Sequence, residues 1–283
     1  MISIIICSRK ADISQGLKDN IAATIGCEYE LCVIDNSHNE YNIFTAYNEG
    51  VSRAKGDILC FMHEDVKYIS NGWGEKVYKT IQKNVNIGCL GVVGTHLLAD
   101  TPSGWYHSML CSGGCVQKEN INYINRQDLS HFGKEKIIEA VAVDGMWFCI
   151  PRSIFEQTHI QFDANTFTGF HCYDLDICLQ IREQGYKVVI TSEVLIEHSS
   201  YGSFNVAWYE STQLFYEKWH KQLPQNVGII IPDSEIAVRT EMIKQVMVWI
   251  TSYAKLEEER SRILNSKTYR LGRFLKEFNF MRR

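Results

Sequence analysis

The chain has 283 residues, which is long enough for one α/β catalytic domain together with a smaller appendage. Hydrophobic residues make up 45% of it and charged residues 22%, so there is enough apolar material for a buried core. The formal net charge is −4, and this balance gives no reason to expect a nucleic-acid partner.

The ten cysteines are scattered along the chain and include no Cys-x-x-Cys pair. Cys7, Cys32, Cys60 and Cys149 lie in apolar runs typical of buried strands, where free cysteine behaves as a small hydrophobic residue. The opening apolar run is too short for the core of a signal peptide, and no stretch has the length of a membrane span. We therefore expect a protein of the reducing cytoplasm.

In the first half of the chain, short apolar strands alternate with segments of helical character. Strands are predicted at residues 3–7, 30–34 and 58–62, with a helix at 13–25 and another that ends at Gly56. This order predicts right-handed crossovers and a parallel, doubly wound sheet. Ligands bind beyond the carboxyl ends of the strands in such sheets, and a polar cluster follows each of the three strands.

The second half is less regular. Further strands are predicted near residues 89–93, 141–150, 186–191 and 194–198, and a helix at 174–184 that stops at Gly185. Residues 96–136, rich in Gly, Ser, Asn and aromatics, predict hairpins and mobile loops. From residue 205 the pattern is helical, with a break at 224–232.

An acidic cluster, His63-Glu-Asp-Val66, comes directly after the third predicted strand. Carboxylate oxygens at that edge of the sheet can bind Mg²⁺ or Mn²⁺, which in turn holds a diphosphate. A solvated acidic turn is the alternative for a Glu-Asp pair taken alone.

Residues 46–66 resemble family 2 glycosyltransferases of the GT-A fold, whose pattern runs Asn-x-Gly, Ala-x-Gly-Asp, an apolar strand and Asp-x-Asp. The matching residues are Asn48, Gly50, Ala54, Gly56, Asp57 and the strand that follows. His63 stands where the family has its first Asp, as in a sub-branch that carries His-x-Asp-Val. The resemblance implies that Asp65 meets the metal, and it leaves His63 either to bond a ribose hydroxyl or to supply a ligand nitrogen.

Residues 170–189 resemble the family's Glu-Asp-x-Asp-Leu helix start, which leads through a Gly-Tyr turn into a strand. Asp174 matches the Asp that is the general base in the family, whereas Tyr173 replaces the Glu before it. An inverting transfer needs one carboxylate to take the proton of the attacking hydroxyl. Either Asp174 or Asp176 could instead only cap the helix, and we favour Asp174 as the base.

A late histidine, His198, follows a short predicted strand and resembles the one that completes the family's metal shell or touches the diphosphate. Together with Asp65, a diphosphate and water, it would form a mixed oxygen and nitrogen set suited to Mn²⁺ or Mg²⁺. A lone histidine is more often structural than a ligand.

For the nucleotide, the resemblance implies that Asp35 accepts a hydrogen bond from the base, flanked by Ser8 and Arg9. A turn residue that caps the next helix is the alternative for Asp35. The other nucleotide-binding candidates are Asn48, Lys55, His63 and Glu64. Lys55 would approach a phosphate or simply be solvated at a helix end. Because the sequence has no Gly-rich phosphate loop, the metal must offset most of the diphosphate charge.

Acceptor recognition is predicted to fall to residues 96–136 and to the Asp144-Gly-Met-Trp147 segment. Sugars stack their apolar faces on aromatic rings and bond their hydroxyls to polar groups. The candidate contacts are Trp105, Tyr106, His107, Gly145, Trp147 and Tyr173. Ordinary core packing is an equal alternative for Trp147.

The C-terminal stretch, residues 257–283, is basic and amphipathic. Its basic residues are Arg260, Arg262, Lys267, Arg270, Arg273, Lys276, Arg282 and Arg283, interleaved with Leu and aromatic residues. Such a helix can lie on an anionic membrane surface, which would suit an enzyme that extends a lipid-linked glycan. Packing on the catalytic domain or on a second subunit in a homodimer is the alternative.

Together these features predict a GT-A catalytic domain at residues 1–205, with a mixed, mainly parallel sheet, and a helical extension at 206–283. The predicted function is a metal-dependent, inverting, hexosyltransferase-like glycosyltransferase of polysaccharide biosynthesis. It would use a nucleoside-diphosphate sugar and a glycan or lipid-linked acceptor, in the cytoplasm or at the inner face of its membrane. The alternatives are a nucleotidyltransferase, and a non-catalytic sugar- or nucleotide-binding protein that kept the fold.

Overall fold

The computed structural model describes residues 1–119, 122–200, 202 and 204–271. In chain order the strands are β1 (Ile2–Ser8), β2 (Tyr29–Asp35), β3 (Ile58–Met62), β4 (Val66–Tyr68), β5 (Ile87–Gly91), β6 (Val93–Thr95), β7 (Leu97–Leu98), β8 (Cys111–Gly113), β9 (Val116–Glu119), β10 (Asn122–Asn125), β11 (Ile137–Ala140), β12 (Ala142–Val143), β13 (Trp147–Pro151), β14 (Lys187–Thr191), β15 (Ile196–His198) and β16 (Gln225–Asn226).

The α-helices are α1 (Gln15–Thr24), α2 (Ile43–Arg53), α3 (Trp73–Lys83), α4 (Arg152–Thr158), α5 (Tyr173–Glu183), α6 (Val206–Trp219) and α7 (Asp233–Asn265). Three of them begin at side-chain caps, where Ser14, Asn42 and Asn205 each accept a hydrogen bond from the backbone N–H three residues on. Short 3₁₀ turns occur at Trp105–Ser108, Ser130–Phe132 and His220–Gln222.

Seven strands form the central sheet in the order β11-β14-β5-β13-β3-β1-β2. Strands β13 and β11 run opposite to the other five. Strand β1 is apolar on both faces because both sides of the sheet are covered there, and its residues Ile4, Ile5 and Ile6 are all fully buried. The predicted mixed, mainly parallel sheet with a helical C-terminal segment is confirmed.

The register of the sheet gathers the predicted site at one edge. Ser8 and Asp35, the last residues of β1 and β2, are register partners. Met62, the last residue of β3, pairs with Trp147, the first residue of the antiparallel β13. The loop before β13 therefore emerges at the carboxyl edge of the parallel strands, where the His63–Asp65 turn also lies.

A second sheet, β10-β9-β15-β4, brings His198 to the same place. Strand β15 pairs antiparallel with β4, and His198 is the register partner of Val66. His198 thus lies opposite the residue that directly follows Asp65, although 133 positions separate His198 from Asp65 in the sequence. The pairing of two three-residue strands positions this histidine.

Helix α6 is anchored to α5 by a buried charge network. The carboxylate of Asp176, whose side chain is 1% exposed, accepts a hydrogen bond from the indole of Trp219 at 2.8 Å and contacts Lys218 Nζ at 2.7 Å. Lys218 also contacts Asp163 at 2.8 Å. These interactions hold Asp176 inside the protein, so its carboxylate is a structural anchor.

Replacing Lys218 with Met is expected to lower the free energy of unfolding by about 3 kcal/mol, because it leaves Asp176 as a buried, uncompensated charge. This loss of stability is at the lower end of the range for broken buried ion pairs, because the Lys218 side chain is 26% exposed. Urea unfolding measures the effect. Lys187→Met is the matched control: this side chain is 54% exposed in its pair with Glu139, and its loss should cost at most about 1 kcal/mol.

Helix α7 packs one face on the body of the protein. Ile243 and Met247 lie in a small apolar cluster with Ala99 and Trp208. Among the residues that the structure describes, no helix is both long enough and apolar enough to cross a membrane. The proposed boundary at residue 205 falls immediately before α6 and stays a prediction. Of the basic tail, Arg273, Lys276, Arg282 and Arg283 lie outside the described residues.

Candidate active site

Three side chains from two distant segments form a candidate metal centre. His63, Asp65 and His198 each offer one ligand atom, and these three atoms lie within 4.8 Å of one another. His63 Nδ1 is 3.4 Å from His198 Nε2, and His198 Nε2 is 3.5 Å from Asp65 Oδ1. Ligand atoms about 2.0–2.2 Å from a cation can be about 4 Å apart across it, so the cluster has the dimensions of a metal site.

The charges of this cluster are coupled. Burial raises the pKa of the Asp65 carboxyl, but hydrogen bonds from His198 and Ser200 outweigh it and hold that pKa well below its usual range. Burial lowers the pKa of His198, but the hydrogen bond to Asp65 outweighs it and raises that pKa. For His63, burial and the neighbouring His198 both lower the pKa. A cation would therefore meet one carboxylate and two imidazoles, of which His198 holds a proton more readily than His63 does.

The ring of His63 is held from both sides. Its backbone N–H donates to the carbonyl of Met146 at 3.0 Å. Its Nε2 atom is 2.8 Å from the hydroxyl of Tyr173, while Nδ1 faces His198. The two residues that depart from the family pattern in the sequence are therefore direct neighbours.

Asp174 begins the first turn of α5 and faces the same edge of the sheet. Its carboxylate accepts hydrogen bonds from the backbone N–H of Gly145 at 3.0 Å and of Leu175 at 2.9 Å. Burial and the nearby charge of Asp144 raise the pKa of Asp174 to about 7. A carboxylate with a pKa near the working pH is suited to take up a proton.

Asp174 and Asp176, both on α5, have carboxylates in different surroundings. Asp174 lies by the loop before β13, whereas Asp176 is bound to Trp219 and Lys218 in the interior. Helical geometry requires this, because positions two apart point to different faces of a helix. The geometry supports Asp174 over Asp176 as the candidate base.

Asp144 was predicted only as part of the acceptor-binding segment 144–147, without a role of its own. One carboxylate oxygen accepts from the indole N–H of Trp105 at 3.0 Å and the other from the backbone N–H of Met146 at 2.7 Å. Its charge acts on Asp174 and on both histidines of the cluster. Its place in the loop between two apolar runs was the available signal, but no local pattern shows at which edge of the sheet that loop emerges.

The predicted nucleoside-binding residues lie at the ends of β1 and β2. The Ser8 hydroxyl donates to Glu64 at 2.6 Å, and the backbone N–H of Arg9 donates to the same carboxylate at 3.4 Å. Asp35 is exposed, and hydrogen bonds from Ser37 lower its pKa. Ser8, Arg9, Asp35 and Glu64 are thus close in space at one rim of the sheet.

Two other predicted nucleotide contacts lie elsewhere. Lys55 precedes β3, at the amino edge of the sheet, where the neighbouring Gly56 closely approaches the backbone of Met1. The side-chain amide of Asn48 both donates to and accepts from the backbone of Phe162, at 2.8 and 3.0 Å. Neither side chain reaches the metal cluster. Lys55 lies at the opposite end of β3, and the amide of Asn48 is used to hold α2 against a loop.

The acceptor prediction needs correction at Trp147 and Tyr173. Trp147 is fully buried, donates its indole N–H to Tyr68 at 2.8 Å and packs edge-on against Trp73. It is a core residue, since β13 is an inner strand covered on both faces. Tyr173 is 6% exposed and its hydroxyl is bound to His63, so it is not available to stack on a sugar.

The predicted aromatic contacts outside the core are partly exposed. Trp105, Tyr106 and His107 occupy a 3₁₀ turn, in which Trp105 packs on Tyr106, Tyr106 on Phe204 and His107 on Trp208. The indole N–H of Trp105 donates to the carboxylate of Asp144, which lies beside Asp174. This aromatic cluster borders the site on the side of the C-terminal helices.

Comparison with known proteins gives one family match. The family model described as "Glycosyltransferase like family" matches residues 3–222. No curated protein matches the chain.

A solved structure of another protein shares the fold. The crystal structure of GalNAc-T7 with UDP, GalNAc and Mn²⁺ is 13% identical with a TM-score of 0.50, over 72% of this chain and 44% of that one. The S. aureus TarS 1-349 structure in complex with UDP-GlcNAc is 11% identical with a TM-score of 0.46, over 71% of this chain and 59% of that one. The chain thus spans about half the length of these two proteins. The central sheet is of the GT-A type.

Proposed function

Since the chain belongs to the glycosyltransferase-like family whose model matches residues 3–222, we propose that it moves a sugar from a nucleoside-diphosphate donor to a hydroxyl of a glycan or lipid-linked acceptor. The observation that carries the proposal is the meeting of His63, Asp65, His198 and Asp174 at the carboxyl edge of one sheet. These residues come from three separate segments of the chain, and folding brings a cation-binding set and a candidate base to one rim.

The proposed reaction is a single displacement with inversion at the anomeric carbon. Asp174 accepts the proton of the acceptor hydroxyl as its oxygen attacks that carbon, and the nucleoside diphosphate leaves with the bonding electrons. The backbone N–H groups of Gly145 and Leu175 hold the Asp174 carboxylate in place. A divalent cation held by His63, Asp65 and His198 would supply the positive charge that makes the diphosphate a better leaving group.

The nucleoside is proposed to lie over the ends of β1 and β2. Asp35 is exposed and ionised there, ready to accept a hydrogen bond from the base. Glu64 is oriented by Ser8 and by the backbone of Arg9, and it presents a carboxylate beside the metal cluster, where a ribose would lie. The GT-A neighbour GalNAc-T7 was solved with UDP and Mn²⁺, which is in line with a donor of this class.

The acceptor is proposed to bind on the side of Asp144 and Trp105. The Trp105 indole is bound to the Asp144 carboxylate, which in turn raises the pKa of Asp174. Half-buried Tyr106 lies next to this pair, with its ring centroid 5.6 Å from that of Trp105. Ring faces beside a carboxylate are the surroundings that a sugar acceptor requires.

A panel of nucleoside-diphosphate sugars, screened by thermal shift with Mn²⁺ and with EDTA, tests the donor and the metal together. A donor that raises the melting temperature only in the presence of the ion supports the proposal. Release of nucleoside diphosphate from that donor then measures turnover. Binding without any turnover would favour the non-catalytic alternative, and release of pyrophosphate from a nucleoside triphosphate would favour a nucleotidyltransferase.

The C-terminal stretch is proposed to contact an anionic membrane, at whose inner face the enzyme would work, or else a second subunit. Among its described residues, Arg260, Arg262, Lys267 and Arg270 are exposed. Arg260 and Arg262 form ion pairs within the helix with Glu257 and Glu258, which offsets part of their charge.

Truncation after Glu257 is expected to release the protein from anionic liposomes, because it removes these basic residues and the apolar side chains between them. Co-sedimentation with phosphatidylserine vesicles measures binding, and phosphatidylcholine vesicles are the control. If the full chain never binds anionic vesicles, the membrane contact is excluded. A halved mass of the truncated protein in sedimentation velocity would instead assign the stretch to a dimer.

A further inference from the structure

The hydroxyl of Tyr173 lies 2.8 Å from Nε2 of His63, and the other ring nitrogen of His63 faces His198 at 3.4 Å. An imidazole has two nitrogens, and what one of them binds decides what the other can do. Here the tyrosine engages Nε2, which leaves Nδ1 as the atom directed at the candidate metal centre.

The position of the Tyr173 hydroxyl is fixed by packing. The ring is 6% exposed and packs edge-on against Phe44 and Tyr47, at centroid distances of 6.3 and 5.5 Å. A Cβ atom at Gly145 would lie only 2.2 Å from the hydroxyl oxygen. Gly145 therefore provides the space that the hydroxyl needs in order to reach His63.

We infer that Tyr173 is a positioning residue, which orients His63 so that its Nδ1 completes a donor set of two imidazole nitrogens and one carboxylate oxygen. The inference rests on the metal site of the proposed function, and it decides between the ribose and ligand roles of His63 in favour of the ligand. A metal-bound histidine donates its other N–H to an acceptor. His63 would accordingly carry its proton on Nε2 and donate it to the Tyr173 oxygen.

The donor set also specifies the class of cation. Mg²⁺ strongly prefers oxygen ligands, whereas imidazole nitrogens suit later divalent metals. Two nitrogens and one oxygen therefore favour Mn²⁺, Co²⁺ or Zn²⁺ over Mg²⁺. His63→Asp, which restores a carboxylate at this position, is expected to shift the preference toward Mg²⁺.

The test measures metal binding to the full chain without nucleotide. Tyr173→Phe keeps the packed ring and removes only the hydroxyl, and it is expected to weaken Mn²⁺ binding by about 10- to 100-fold, as measured by calorimetry or by electron paramagnetic resonance. Gly145→Ala keeps every ligand and the Tyr173 hydroxyl but displaces that hydroxyl. It should therefore also weaken Mn²⁺ binding. Tyr78→Phe is the matched control, because the Tyr78 hydroxyl bonds to the N-terminal amine and to Asp57 at the opposite, amino edge of the sheet.

A spectroscopic signature separates positioning from mere structural support. In ¹⁵N spectra of histidine-labelled protein with Zn²⁺, the proton of His63 should lie on Nε2 in the wild type, and this preference should weaken in Tyr173→Phe. Unchanged affinity and an unchanged tautomer in Tyr173→Phe would overturn the inference and leave the metal site standing. Wild-type protein that binds none of these cations would overturn the metal site itself, and the inference with it.

Discussion

Replacement of Asp174 by Asn is expected to lower the rate of sugar transfer by about 100- to 10,000-fold, because the amide cannot take the proton of the acceptor hydroxyl. The amide keeps the size of the side chain, and its single oxygen can retain one of the two bonds, because Gly145 and Leu175 donate to different carboxylate oxygens. Donor binding should be nearly unchanged, so the loss should appear in kcat. Release of nucleoside diphosphate from the donor found in the thermal-shift panel is the measurement.

The pH dependence of turnover is a second test of Asp174. The pKa of Asp174 is raised to about 7, and only the ionised form can act as the base. Turnover is therefore expected to rise as the pH increases through about 7 and then level off. A rate that is flat between pH 6 and pH 8 would argue against Asp174 as the group that limits the reaction.

The free energy of unfolding should fall as the pH rises, whereas turnover should increase. Because the folded pKa lies above the ordinary value of 3.8, the folded state loses stability as the pH rises from about 4 to 7, and the whole cost is present above pH 7. Asp174→Asn removes this cost, so its melting temperature should exceed that of the wild type at pH 8 more than at pH 5. Such a gain would also show that lost activity is not caused by unfolding.

Asp176→Asn is the contrasting variant two positions along the same helix. Its carboxylate is bound by Trp219 and Lys218 in the interior, so the turnover of the folded protein should stay within a few-fold of the wild type. If Asp176→Asn abolished turnover and Asp174→Asn did not, the assignment of the base would have to be reversed.

Substitution of Asp65 by Asn or of His198 by Ala is expected to weaken Mn²⁺ binding by at least about 100-fold, more than the loss of a residue that only supports a ligand. Each variant removes one of three ligand atoms that lie within 4.8 Å of one another. Turnover should fall with metal occupancy, and high Mn²⁺ concentration should restore part of it. Calorimetry on the nucleotide-free protein measures the affinity directly.

Metal binding should also depend on pH in a defined direction. Asp65 raises the pKa of His198, and the cation must displace that proton before the nitrogen can bind it. Affinity is therefore expected to rise as the pH increases through the range in which His198 titrates. In Asp65→Asn this dependence should move to lower pH, because the carboxylate that holds the proton is gone.

Asp57→Asn provides the matched control for the metal series. Asp57 precedes the amino end of β3, whereas Asp65 follows the carboxyl end of the same strand. The Asp57 carboxylate binds the N-terminal amine at 2.9 Å. Its loss should leave Mn²⁺ affinity unchanged. Equal losses in Asp57→Asn and Asp65→Asn would mean that the effect is general destabilisation.

Much of the fold could be predicted because its signals are local. The apolar runs that became β1, β2 and β3 are each followed by a polar turn, and together they are sufficient to predict a parallel sheet and its ligand edge. Trp147 was ambiguous because an apolar run has no local signal that separates a core aromatic from one that lines a site. The sequence left Lys55 open between a phosphate contact and a solvated helix end, because a basic residue near a motif says nothing about which edge of the sheet it occupies.

The sequence by itself determined the first three strands with the two helices between them, the family and the residue types available for chemistry, since these follow from periodicity and short motifs. Tertiary structure alone decided which side chains meet. The pairing of β15 with β4 places His198 beside Asp65, and the antiparallel insertion of β13 brings Asp144 and Gly145 to the site. Packing around Tyr173 directs its hydroxyl to His63. These contacts join residues far apart in sequence, and their geometry depends on register and packing that no local pattern records.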